Sequence, residues 1–212
     1  MTEQDHIPIF PLNVVLYPES KIPLHIFEER YKKMVNECMY NGRIFGINLY
    51  YSDKIQTVGC TAIVDKVINR YPGGELDIIV KGVERYSLKD YHVSGTGYYV
   101  SDIEYLSGDD FDYPKEKMDE AVVLYNEMID VIYRGTLSNI DLKDPKWQKR
   151  SLCYFMAEKS GLSLIERQKL LEMDTECERL DYVLKYLKDV LPEVIKAGRI
   201  SDIIKSDGYL QE

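Results

Sequence analysis

Apolar positions along the chain fall into two regimes. From residue 7 to residue 106 they form short runs, at 7–16, 44–51, 57–68, 76–80, 86–88 and 91–106, rich in β-branched residues and tyrosine. Turn residues separate the runs, so each reads as a strand. Tyr71-Pro72-Gly73-Gly74 is the clearest turn. Proline presets φ at the first central position and Gly73 accepts a positive φ at the next, which predicts a hairpin joining 57–70 to 75–81. Gly95 and Gly97 interrupt the 91–106 run and mark a bulge or a close backbone approach. One helix breaks into this half. Its apolar residues at 27, 31, 34, 35, 38 and 39 share a face, and Asn41-Gly42 supplies the stop.

After Ser107-Gly108-Asp109-Asp110 the period becomes helical. Met118, Ala121, Val122, Tyr125, Met128, Ile129 and Ile132 line one face of a helix that follows Pro114 and ends near Gly135. A polar loop at 136–145 leads to a second helix over 147–159. Ser163-x-x-Glu166 and Thr175-x-x-Glu178 are capping boxes that open a third and a fourth. On the fourth, Leu180, Val183, Leu184, Leu187, Val190 and Leu191 share a face, and Pro192 is expected to kink or end it. The expected organisation is therefore a β-rich domain over 1–107 and a helical bundle over 112–212. Closely spaced antiparallel strands favour a barrel or a sandwich over a parallel sheet.

Composition narrows the partners. The 27 basic and 36 acidic side chains give a net charge of −9. That balance disfavours a sequence-independent grip on nucleic acid or on an anionic membrane. MTEQDHIPIF lacks the features of a signal peptide, and no run approaches a membrane span. Cys38, Cys60, Cys153 and Cys177 form no metal or disulfide spacing and read as reduced thiols of a cytoplasmic protein.

Catalysis should leave a constellation, and none is found. His6, His25 and His92 share no metal-ligand spacing. Gly108-Asp109-Asp110 reads as an acidic surface loop at the domain join. Gly95-Thr96-Gly97 lacks the third glycine and the strand–helix context of a dinucleotide loop. Neither a phosphate-binding loop nor a nucleophile elbow is present. The reading is a non-enzymatic chain with no cofactor and no metal. Trp147, between Lys146 and Arg150, could stack a base but reads rather as a core residue of a helix whose lysines face water. Tyrosine is abundant, with 18 against 5 phenylalanines. Tyr50, Tyr51, Tyr98 and Tyr99, with Tyr105, are the candidate polypeptide-contact surface. Outer tyrosines that merely pack on helices are the alternative.

Phe10-Pro11-Leu12-x-x-Val15-x-x-x-Pro18, then Pro23-Leu24-His25-Ile26-Phe27-Glu28-x-Arg30-Tyr31, resembles the start of the N-terminal substrate-recognition domain of Lon ATP-dependent proteases. Phe45-Gly46-Ile47, Val58-Gly59-Cys60-Thr61-Ala62 and Lys81-Gly82-Val83-Glu84-Arg85-Tyr86 are similar to later strands of that domain, in order. Glu166-Arg167-Gln168-Lys169-Leu170-Leu171-Glu172 followed by Glu178-Arg179-Leu180 is similar to its helical segment. The resemblance spans about residues 7–190. It implies a PUA-like antiparallel β-barrel with one inserted helix, followed by an α-helical bundle.

Neither the ATPase nor the protease module of that family follows in these residues, so the expectation is a non-catalytic, free-standing polypeptide-binding module. Unfolded or partner polypeptides and Lon-related proteolysis machinery are the implied partners. An RNA-binding PUA-like protein is the alternative. The signature residues Pro18, Pro23, Leu24, Phe27, Glu28, Arg30, Tyr31, Gly59, Gly82 and Arg85 are read as structural. The prolines rigidify the crossover from the first strand to the first helix. Glu28 is placed in the first helical turn, where Arg30 cannot face it and each pairs elsewhere. Gly82 occupies a position that rejects a Cβ, and Arg85 ties its strand to the first helix.

Overall fold

The computed structural model describes residues 6–106, 113–147 and 150–206. In chain order the elements are β1 (His6–Leu12), β2 (Lys21–Ile26), α1 (Glu29–Asn41), β3 (Phe45–Tyr51), β4 (Lys54–Arg70), β5 (Leu76–Val93) and β6 (Tyr99–Tyr105), then α2 (Lys115–Tyr133), α3 (Leu152–Lys159), α4 (Leu164–Glu172) and α5 (Glu176–Ser206). A short 3-10 turn at Pro145–Trp147 precedes α3. The fold is mixed α+β. The chain divides into two compact units, one of Met1–Gly108 with Ser163–Glu172, the other of Asp109–Leu162 with Met173–Glu212. Helix α4 thus belongs with the strands, whereas its periodicity grouped it with the 112–212 bundle. The Gly108-Asp109-Asp110 loop lies outside the described residues.

In the first unit the sheet order is β2-β5-β4-β3-β1-β6, and β6 pairs with β5 as well. All neighbours are antiparallel except β1 and β3, which run parallel with Phe10 opposite Ile47. This corrects the all-antiparallel expectation. A parallel neighbour needs a long crossover, and the chain from 13 to 44, carrying β2 and α1, provides it. Residues 21–26 are themselves a strand where a proline-stiffened crossover was expected. Pro23 sits on β2 opposite Ile79, and among the described residues β2 pairs only with β5. An edge strand is where a sheet tolerates a residue without an N–H.

Alternation then sorts the side chains. Phe10, Ile26, Phe45, Ile47, Ile78 and Val80 form one core with Tyr31, Met34, Val35 and Cys38 of α1. Ile7, Ile9, Tyr86, Leu88 and Ile103 form a second. There the Tyr86 hydroxyl donates to Asn48 Oδ1, which satisfies two groups that would otherwise be buried without partners.

The loop from 13 to 20 is pressed against β5. Glu19 N donates to Gly82 O at 3.0 Å and Gly82 N to Ser20 O at 2.9 Å. A Cβ on residue 82 would lie 2.1 Å from Tyr17 O. No side chain fits there, so glycine is required by space rather than by φ. Helix α4 is stapled to the same region. The Tyr17 hydroxyl donates to Arg167 O at 3.0 Å, Gln168 Nε2 to Val58 O at 3.0 Å, and buried Arg85 Nη1 to Leu171 O at 3.1 Å. Leu171 O is one of the carbonyls that the end of α4 leaves without an intrahelical partner, and a cation suits that end of the dipole. Arg85 therefore holds α4, not α1 as expected.

In the second unit, α2 buries Met118, Ala121, Val122, Tyr125, Met128 and Ile129. Helix α5 buries Leu180, Val183, Leu184, Leu187 and Leu191 and continues past Pro192 instead of ending there. Ser151 caps α3, which begins at Leu152 rather than 147. Glu176 and Arg179 are both 0% exposed and pair at 2.8 Å. Glu176 also accepts from Ser151 Oγ, and Arg179 Nη1 donates to Met173 O at 2.7 Å. Breaking such a pair strands a buried charge, so losing one partner is costly even where the intact pair adds little net stability. Both expected capping boxes close. Ser163 N donates to Glu166 Oε2 at 2.8 Å, and Thr175 N to Glu178 Oε2 at 3.1 Å.

The 71–74 turn differs in detail. Gly74 N donates to Tyr71 O, and Gly74, not Gly73, takes the positive φ, at 85°. The 91–106 run is two strands split by a turn in which Gly97 has φ 89°. Equilibrium urea unfolding tests the contact at residue 82. Gly82→Ala is expected to cost about 2–3 kcal/mol through overpacking against backbone. Gly95→Ala, where an added Cβ meets nothing within 4 Å, should change stability little.

Candidate functional site

The signature stretch leaves the core at its polar positions. On β2, Ile26 is buried and Leu24 half-buried, while Lys21, Pro23 and His25 are exposed. Helix α1 begins at Glu29, so Phe27 lies before it and is 62% exposed rather than the first residue of the apolar face. The Phe27 and His25 rings stack at 5.9 Å, and Tyr71 meets His25 edge-on at 5.9 Å. Beneath them Asp77 takes hydrogen bonds from the Tyr71 hydroxyl at 2.6 Å, from Asn69 Nδ2 at 2.9 Å and from His25 Nδ1 at 2.7 Å. These donors, Tyr71 foremost, hold the carboxyl down at about 2.

Glu28 has extended backbone, φ −71° and ψ 132°. The argument that helical residues two apart cannot meet therefore does not apply. Arg30 Nε and Nη2 donate to Glu28 Oε2 at 3.0 and 2.8 Å, a correction to the expectation that each pairs elsewhere. The guanidinium lies 4.6 Å from the centre of the Tyr31 ring. That ring is buried and stacks on Phe10 at 4.1 Å. Burial works against the charge of Arg30, but the Glu28 bond and the nearby Tyr31 and Tyr99 outweigh it and raise its pKa.

The predicted tyrosines separate. Tyr50 and Tyr51 are exposed at the end of β3 and Tyr99 is half-buried at the start of β6. Tyr98 is only 8% exposed and donates to Glu37 Oε2 at 2.8 Å. It leaves the candidate surface because successive strand residues point to opposite faces, and its face meets α1. In its place the structure brings Tyr91, missed by sequence reasoning, edge-on to Tyr99 at 5.6 Å. Tyr50 joins them. Desolvation raises its pKa most, followed by Asp53, with Tyr99 and Tyr91 adding to the effect. Val93, opposite Tyr99 and 59% exposed, completes an apolar and hydroxyl-bearing surface. The signal for Tyr91 was the Gly95–Gly97 turn, which makes 91–93 and 99–101 cross-strand neighbours.

The remaining signature residues are built into the scaffold. Pro18 is half-buried in the loop before β2, and Gly59 is buried on β4 opposite Asn48 and Tyr86. Two of the four thiols are held protonated by burial. Burial pushes Cys38 up to about 11 and Cys60 to about 12. Among the described residues no group of three or more His, Cys, Asp or Glu could hold a metal ion, and no helix is long and apolar enough to cross a membrane. Trp147 packs edge-on against Phe155 at 4.6 Å, with Lys146 Nζ 5.0 Å from its ring centre. What the site offers chemically is ring faces, hydroxyls and one oriented cation, which suit contact rather than bond making.

Residues 6–189 match the substrate-binding domain of ATP-dependent protease La (Lon). The chain belongs to that family. Lon protease 2 of Syntrophobacter fumaroxidans is 26% identical over 98% of this chain and 28% of its own length. Lon protease of Escherichia coli K12 is 24% identical over 96% of this chain and 27% of its own length. The chain thus spans little more than a quarter of these curated relatives. Among solved structures, a Lon N-terminal domain protein from Xanthomonas campestris has a TM-score of 0.66 at 24% identity, covering 85% of this chain and 98% of that one. The N-terminal domain of a Mycobacterium avium complex Lon protease has 0.63 at 14% identity, covering 87% and 98%. These structures share the mixed α+β fold.

The Asp77 cluster makes a pH-dependent contribution of definite sign. Its folded-state pKa lies below the usual carboxylate value near 4, so the contribution is present at neutral pH. It is lost as pH falls from about 4 towards about 2. Thermal unfolding of wild type and Asp77→Asn should show a lower Tm for the variant near neutral pH, and the gap should close across that window.

Proposed function

We propose that the chain is a non-catalytic polypeptide-binding module of the Lon substrate-binding type, and that it grips unfolded or partner polypeptide on the Tyr50–Tyr91–Tyr99 surface. The observation that carries this reading is that surface itself: three neighbouring tyrosines beside exposed Val93 and an oriented Arg30. Tyrosine and arginine are enriched at protein interfaces and among their hot spots. Membership of a substrate-binding family supports it.

In this reading the ring of pairings β5-β4-β3-β1-β6-β5 is a PUA-like barrel, formed by 1–107 and completed by α4. The rest of 112–212 is a helical bundle. The protein works in the cytoplasm, alone or with Lon-related proteolysis machinery, and is not an enzyme. The net charge of −9 counts against RNA as the ligand.

Fluorescence anisotropy with labelled, reduced and carboxymethylated α-lactalbumin tests the reading. Wild type should bind, without cleaving the probe, and Tyr50→Ser with Tyr91→Ser should weaken binding about tenfold, roughly 1.4 kcal/mol. Absence of binding, or binding indifferent to both tyrosines, contradicts it.

A further inference from the structure

We propose that a cleft beside the start of β1 binds a small organic anion, a ligand that joins one flat ring to one carboxylate or phosphate group. None of Tyr50, Tyr91 and Tyr99 lines this cleft, so the proposal stands apart from the polypeptide-binding reading.

The topology of the first unit opens the cleft. Strands β1 and β3 run parallel with Ile9 opposite Gly46, so the first residues of β1 come level with the turn that leaves α1. On the other side β6 runs antiparallel, with His6 opposite Asp102, and Tyr105 reaches past the start of β1. The space between them is about 480 Å³, within the range of roughly 300–1,000 Å³ common for small-molecule sites. Gly42 ends α1 with φ 62°, and a Cβ there would meet nothing within 4 Å. Gly42 N and Arg43 N both donate to Cys38 O, Arg43 at 2.9 Å. These bonds fix the backbone that carries Arg43 into the cleft lining.

The groups that line the cleft select the ligand. Among the described residues the Arg43 guanidinium and the Asn41 amide make no hydrogen bond or ion pair. Arg43 stands at the negative end of α1, where a cation is favoured, and its fork of donors fits a carboxylate or a phosphate. His6 Nδ1 is bonded to Asp102 at 2.9 Å, which orients the ring and leaves its second nitrogen for a ligand. Asp102 itself does not line the cleft. The His6 and Tyr105 rings, with Pro8, supply flat and apolar walls for a ring. One guanidinium matches one anionic group. A nucleic-acid strand needs clustered Lys and Arg along its row of phosphates, and the net charge of −9 opposes it.

Isothermal titration calorimetry of the full chain at low salt, with four probes, tests the proposal. AMP and naphthoate join a ring to an anion, adenosine has only the ring, and inorganic phosphate has only the anion. At least one of the first two should bind, and the better binder identifies the preferred oxyanion. Adenosine and inorganic phosphate should each bind at least about tenfold more weakly. Arg43→Ala should weaken binding of the ring-bearing anion about tenfold. Lys33→Ala removes the same charge from an exposed position of α1 outside the cleft and should leave binding unchanged. Circular dichroism melts of both variants should match wild type, because both side chains are exposed.

Failure of both ring-bearing anions to bind overturns the proposal, and so does equally tight binding of inorganic phosphate or adenosine. Binding indifferent to Arg43→Ala, or weakened equally by Lys33→Ala, overturns it too.

Discussion

The first unit depends on a close approach between the carbonyl of Tyr17 and Gly82. A Cβ at 82 would sit 2.1 Å from that oxygen, so the loop reaches β5 only because glycine is there. Hydrogen bonds from Glu19 to Gly82 and from Gly82 to Ser20 then lock it. The next residue, Lys21, starts β2 in register with Lys81. A one-residue slip would turn every β2 side chain to the opposite face. The same loop presents the Tyr17 hydroxyl to Arg167 O, so the constraint that sets β2 also helps seat α4.

With register set, the signature stretch serves two purposes at once. Leu24, Ile26 and Tyr31 point to the core, and Pro23, His25 and Phe27 point to solvent. The extended backbone at Glu28 lets Arg30 fold back on its carboxylate, and that holds the guanidinium over Tyr31 and near Tyr99. An exposed ion pair of this kind contributes little to stability. Its value is orientation: it keeps a long cation in one place beside a tyrosine surface. The same stretch therefore contributes both buried and exposed side chains.

Periodicity was a good guide wherever burial is one-sided. The faces of α2 and α5, both capping boxes and the β4–β5 hairpin were all legible, because each depends on residues close in sequence. The errors share a cause in non-local pairing. Strand β2 was hidden by Pro23, since a lone proline argues against a strand unless the strand is known to be an edge. The parallel β1–β3 pair and the seating of α4 by Arg85, Gln168 and Tyr17 depend on segments far apart in sequence. Tyr98 and Tyr91 exchanged roles because the turn between them, two glycines in a run of apolar residues, sets which face each strand presents. Family resemblance located the signature residues but not their exposure, as Phe27 at 62% shows.

Hydrogen–deuterium exchange of the full chain, with and without saturating reduced and carboxymethylated α-lactalbumin, tests the central claim most directly. Slowed exchange confined to the end of β3 and the 91–99 hairpin is the expected result. Slowed exchange confined to α2, α3 and α5, with those first-unit segments unchanged, would contradict the account.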